Sequence, residues 1–119
     1  MKKKILLIEN NAMFRWRLLH FFEERNYQAF EVEDSLQGEV LALAHKPNLV
    51  LSAIDLPRFS GYDLLKRFQS NNLIASIPFI FLTNRDESER DLALKAGASD
   101  CLSKALPFDA ILERLLPYL

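Results

Sequence analysis

The chain is predicted to be a doubly wound α/β protein, with a parallel five-stranded sheet between two layers of helices. Three observations predict it. Short all-apolar runs such as Ile5-Leu6-Leu7-Ile8 and Phe79-Ile80-Phe81-Leu82 suit strands buried on both faces. Longer segments with helical apolar spacing follow them. Capping and breaking residues, among them Asp34, Gly61, Gly97 and Pro107, fall between the two kinds of segment.

Ile5 to Ile8 is the first strand. Residues from about 11 to 25 form the first helix, because Phe14, Leu18, Phe21 and Phe22 share one face at about 100° per residue. Ala29, Phe30 and Val32 mark a second strand. Asp34 or Ser35 caps a helix carrying Leu36, Val40 and Leu43. Leu49-Val50-Leu51 is the third strand. Gly61 precedes a helix with Leu64, Leu65 and Phe68, and Pro78 opens the fourth strand, Phe79 to Leu82. Asp86 begins an acidic helix start, and Gly97 stops that helix. Cys101-Leu102 is a short fifth strand. Pro107 starts the last helix, which ends near Pro117. Strand-helix alternation with right-handed crossovers leaves few topologies. The expectation is a flavodoxin-like (βα)5 three-layer sandwich with strand order 2-1-3-4-5, one domain over residues 1–119.

At 119 residues the chain is long enough for a hydrophobic core. Half of it is hydrophobic, and 15 basic residues nearly balance 16 acidic ones for a net charge of -1. That balance argues against nucleic acid as this domain's partner. The head Met1-Lys2-Lys3-Lys4 precedes an apolar run that stops at Glu9, too short for a signal segment or a membrane span. The single cysteine, Cys101, forms no internal disulfide and suits the cytoplasm. His20 and His45 are isolated and expected on exposed helix positions, with no metal pair.

In such sheets ligands bind beyond the carboxyl ends of the strands. The residues there are Glu9 and Asn10, Ala53 to Asp55, Thr83 and Asn84, and Ser103 and Lys104. This set resembles the response-regulator receiver family of two-component signalling, over essentially the whole chain. Ile5 to Asn11 is similar to the family's first strand and acidic pair. Pro47 to Tyr62 is similar to its phosphoacceptor strand and loop. Thr83 stands at the hydroxyl position thirty residues past the acceptor, and Gly97 to Lys104 matches the approach to the family's lysine.

The resemblance implies a carboxylate that takes a phosphoryl group, a magnesium ion held by oxygen ligands, and phosphoryl contacts from Thr83 and Lys104. This sequence departs from it at four places. Ala53 occupies the acceptor position, and a methyl group cannot take phosphate. Asn10 replaces the second acid, leaving Glu9 and Asn10 as the metal positions and magnesium at most weakly bound. Ala105 replaces a proline whose cis bond is then disfavoured. Cys101 stands where the family carries its aromatic switch.

The expectation is a pseudo-receiver, not an enzyme, with no resident cofactor, that works by contact with a signalling protein. Asp55 is disfavoured as a surrogate acceptor, because acidic residues are ordinary at that position of the family. Lys104, without its usual partner, is expected to pair with Glu9 or reach solvent. Cys101 is expected to be an inert core thiol. Ser52 has no base to activate it. Trp16 lies about 200° from Phe14 on the helical wheel, so Met13, Trp16 and Leu19 are expected to form an outer docking patch. A homodimer through the fourth helix, fifth strand and fifth helix is a further expectation. Two other readings stay open. One is an ordinary phosphoacceptor regulator with an engineered Asp-to-Ala change at position 53. The other is a flavodoxin-like nucleotide binder, disfavoured because residues 9 to 13 contain no glycine for phosphate to approach.

Overall fold

The apolar runs are strands of one sheet. The computed structural model describes residues 1–86 and 88–119. Along the chain it has β1 (Lys4–Ile8), α1 (Ala12–Glu24), β2 (Gln28–Val32), α2 (Ser35–His45), β3 (Leu49–Ala53), α3 (Gly61–Gln69), β4 (Phe79–Thr83), α4 (Ser88–Ala96), β5 (Asp100–Ser103) and α5 (Phe108–Leu115). A 3-10 turn, Leu116–Tyr118, follows and contains Pro117. All strand pairings are parallel, in the order β2-β1-β3-β4-β5.

Strand alternation splits the core in two. Leu6, Ile8, Val50, Phe79, Phe81 and Cys101 point to one face and pack with Ala42, Leu64, Phe68 and Ala93 from α2, α3 and α4. Ile5, Leu7, Leu49, Leu51, Ile80, Leu82 and Leu102 point to the other, against Leu18 and Phe22 of α1 and Ile111 and Leu115 of α5. The register sets Ile8 beside Ser52, Ala53 beside Leu82 and Thr83 beside Ser103. Four strand ends therefore emerge side by side at one edge.

Helix starts follow their caps. Asn11 Oδ1 accepts from the Phe14 N–H at 2.9 Å, Asp34 Oδ1 from Gln37 at 2.8 Å and Ser60 Oγ from Asp63 at 3.1 Å. Asp34 is thus the α2 cap. Ser35 is buried and does something else: its Oγ donates to the Pro57 carbonyl at 2.8 Å and accepts from the Phe59 N–H at 3.0 Å. It ties α2 to the loop after β3.

Two details differ from the sequence reading. In α2 the inward residues are Ser35, Gly38 and Ala42, while Leu36 and Val40 are 39% and 49% exposed. The reason is the close approach of α2 to β1: a Cβ on Gly38 would stand 2.6 Å from Ile8 Cδ1, so only small residues fit that side. Gly61 is the first residue of α3, not a residue before it, and Ser60 is its cap. Gly97 ends α4 at φ +106°, a conformation that favours glycine.

Gly61 packs harder than Gly38. Its added Cβ would lie 2.5 Å from the Ala53 carbonyl oxygen and 3.0 Å from Ile54 Cα, both backbone atoms. Gly61→Ala is therefore expected to destabilise the domain by about 2 kcal/mol in urea unfolding. Gly38→Ala, which meets only side-chain atoms of Ile8 and no backbone, should cost less. Equal losses for the two would contradict this account.

Candidate functional site

The four strand ends enclose a cleft of about 220 Å³ lined by Glu9, Asn10, Ala53, Asp55, Thr83 and Lys104, among others. The fold brings together every residue that the resemblance marks for phosphoryl or metal contact. The Ala53 methyl is 2% exposed, at the last position of β3.

Glu9 is fully buried. Its Oε2 accepts from the Asn11 N–H at 2.8 Å. Its Oε1 lies 2.6 Å from Lys104 Nζ and receives no aligned hydrogen bond from any described residue. The Lys104 side chain is 14% exposed, and its ammonium sits 5.3 Å from the Phe14 ring centroid. The expected pairing of Lys104 with Glu9 is thus observed. Backbone holds both ends of it in place: the Glu9 N–H donates to the Val32 carbonyl at 3.0 Å, and the Lys104 N–H to the Thr83 carbonyl at 2.9 Å. The Lys104–Ala105 peptide is trans.

Thr83 is buried, and its hydroxyl oxygen accepts from the Arg85 N–H at 2.9 Å. Asn10 is exposed. The Asp55 side chain is 79% exposed and lies 2.6 Å from Arg85 Nη2. The other arm of Arg85, Nη1, reaches Glu89 Oε1 at 3.3 Å, and the Tyr62 hydroxyl donates to that same oxygen at 2.8 Å. An ion-pair relay therefore runs from the cleft mouth to a buried carboxylate on α4. Sequence reasoning missed Arg85, Glu89 and Tyr62. The spacing of Arg85 and Glu89, four apart across a helix start, was the signal for the first two. Tyr62 joins them only through the packing of α3 on β4, where its ring tilts against Phe81 at 5.0 Å.

Burial is the main reason the Tyr62 hydroxyl holds its proton more tightly than usual, with Glu89 adding to it. Burial, reinforced by Glu89 and Asp100, pushes the Cys101 thiol up from 9.0 to about 11. That suits a core residue and opposes a reactive thiolate. His20 and His45 are both exposed, and His45 stacks on Phe30 at 4.4 Å. On α1, Met13 is 67% and Trp16 57% exposed, while Leu19 is only half-buried surface. Leu19 leaves the expected patch because it lies about 120° round from Met13, on the side where Arg15 reaches Glu31 of β2 at 2.8 Å.

Two outcomes follow. Lys104→Met leaves the Glu9 carboxylate buried without its counter-charge and is expected to cost about 3 kcal/mol. The double change Glu9→Gln with Lys104→Met should recover most of that loss; a neutral single change at pH 7 would refute the pairing. The raised thiol gives a pH dependence. The folded chain keeps the Cys101 proton where the unfolded chain loses it, so this contribution is present below pH 9.0 and fades as pH rises to about 11. Cys101→Val should flatten that alkaline limb in thermal unfolding.

Known proteins share this fold. The family model described as "Response regulator receiver domain" matches residues 5–116. The phosphate regulon transcriptional regulatory protein PhoB of Pseudomonas aeruginosa is 30% identical over 114 residues, which cover 95% of this chain and 50% of that protein. Protein PilH of the same organism is 25% identical over 113 residues, covering 94% of this chain and 93% of its own. This chain spans about half the length of the first curated relatives it matches, the PhoP and PhoB regulators. In structure, the chemotaxis response regulator CheY4 of Vibrio cholerae superposes with a TM-score of 0.92 at 18% identity, covering 100% of both chains, a likeness of fold. With its sheet order, its cleft and the family match over residues 5–116, the chain belongs to the response-regulator receiver domains of two-component signalling.

Proposed function

We propose that this receiver domain works without being phosphorylated, as a binding module for a signalling protein and not as an enzyme. One observation carries the reading: a buried methyl group, Ala53, stands at the acceptor position, and the lysine that would hold a phosphoryl group is held by Glu9 instead.

The remaining donors do not fit a magnesium ion. Hard cations want several charged oxygens, and here Glu9 is engaged by Lys104 and the Asn11 N–H, Asn10 is neutral and Asp55 is paired with Arg85. Among the described residues no cluster of three His, Cys, Asp or Glu side chains is arranged to hold a metal. No step is therefore routed through magnesium. Asp55 is a poor surrogate acceptor for the same reason, since its carboxylate is paired with Arg85 at 2.6 Å. A thiol at position 101 has no ring to rotate, so partner binding rather than a phosphoryl signal would set the domain's state.

Two surfaces suit such partners. One is the α1 face around Met13 and Trp16. The other is the α4–β5–α5 face, where Leu92 is 56% exposed beside an open recess of about 630 Å³ bounded by Arg85, Arg90, Cys101 and Arg114. The lone cysteine supports a cytoplasmic setting, and no helix among the described residues is long and apolar enough to cross a membrane. Retention of Thr83 and Lys104 beside Ala53 favours one second reading, an ordinary acceptor aspartate replaced by engineering. The genomic codon for position 53 separates the two.

The direct test is incubation with acetyl phosphate and magnesium, followed by intact-mass spectrometry and a magnesium titration by calorimetry. No phosphoryl adduct and no measurable heat at low millimolar magnesium are expected. A stable adduct on Asp55 or elsewhere would sink the proposal.

A further inference from the structure

We propose that the outward face of α1 is a self-association surface, on which two copies of this chain pair antiparallel about a twofold axis. This goes beyond the loss of phosphorylation and does not depend on it.

The outward stripe of α1 is Met13, Arg17, His20 and Glu24, all exposed and spaced four, three and four residues apart. That spacing is a row along one side of a helix, against which a second helix can lie. Trp16, 57% exposed, stands beside it with its ring tilted against that of His20, ring centroids 4.3 Å apart. The surface there is concave: Trp16, Arg17, His20, Phe21, Glu24 and Phe108 line a shallow recess of about 380 Å³. A large indole at the rim of an aromatic recess is the composition of an interface centre, not of a solvated helix face.

The charges say what covers it. Arg17 lies in the first half of α1 and Glu24 at its end. Neither takes part in an ion pair with another described residue. An antiparallel copy sets Arg17 of one chain against Glu24 of the other, and the twofold axis repeats the pair. A parallel copy would set like against like. The face is thus complementary to itself. Its size bounds the strength: thirteen residues of helix are about 20 Å long, less than a standard interface covers, so the dimer belongs to the weak, transient class.

The chain's single tryptophan makes this measurable, because its emission reports directly on the surface. On raising the protein from micromolar to near-millimolar concentration, the emission should move to shorter wavelength in step with a rise from monomer to dimer mass in sedimentation equilibrium. Trp16→Ala should stay monomeric. Arg17→Glu and Glu24→Arg should each be monomeric alone, since each sets like charges together twice. Mixed in equal amounts they should form a heterodimer, in which both cross pairs have opposite sign again. That rescue also shows that both variants are folded. A wild-type chain that remains monomeric throughout would overturn the proposal. So would a dimer that survives Trp16→Ala, which would place the contact on another face such as α4–β5–α5. A mixture of the two charge variants that does not associate would overturn it as well.

Discussion

Burial of a parallel sheet on both faces is the constraint on which the rest of this structure depends. Helices must cover each side, so the central strands are apolar and enclosed from Ile5 to Ile8, from Leu49 to Leu51 and from Phe79 to Leu82, while the edge strand β2 is only partly covered. Polar groups can then gather only where strands end. Glu9, Thr83 and Lys104 stand there because β1, β4 and β5 stop there, in register. The cleft is a consequence of the layering before it is a site.

Within that frame, the chemistry of the cleft turns on one exchange of partners. With a methyl group at position 53, Lys104 lacks the carboxylate that the family pattern offers it. A nearly buried ammonium cannot be left alone at low cost. The nearest carboxylate is Glu9, and the pair at 2.6 Å neutralises two charges that would otherwise oppose folding. The same geometry engages Glu9 Oε1 with the chain's own cation. On the proposed reading, the methyl group at position 53 and the engagement of Glu9 are linked physically by one lysine.

The outer network ties the cleft mouth to α4 through side chains. Arg85 joins the exposed Asp55 to the buried Glu89, and Tyr62 anchors Glu89 from α3. The cleft mouth and α4 are connected by these bonds. Cys101, small and protonated, fills the adjoining strand position where a ring would turn.

The sequence by itself determined the layers, the order of elements, the start of the last helix at Pro107 and the members of the cleft. Those features follow from local periodicity and from residues that sit at strand ends, which a linear chain displays. It also indicated the exposure of Trp16, because a helical wheel needs only spacing. Only the tertiary structure decided that Gly38, not Leu36 or Val40, faces the core, that Ser35 clamps the Pro57 loop rather than capping a helix, that Leu19 turns from the outer stripe, and that Lys104 chooses Glu9 over solvent. Each of these depends on the distance between elements far apart in the chain. A close approach such as that of α2 to Ile8 reverses which side of a helix can be buried, and no local pattern encodes that distance.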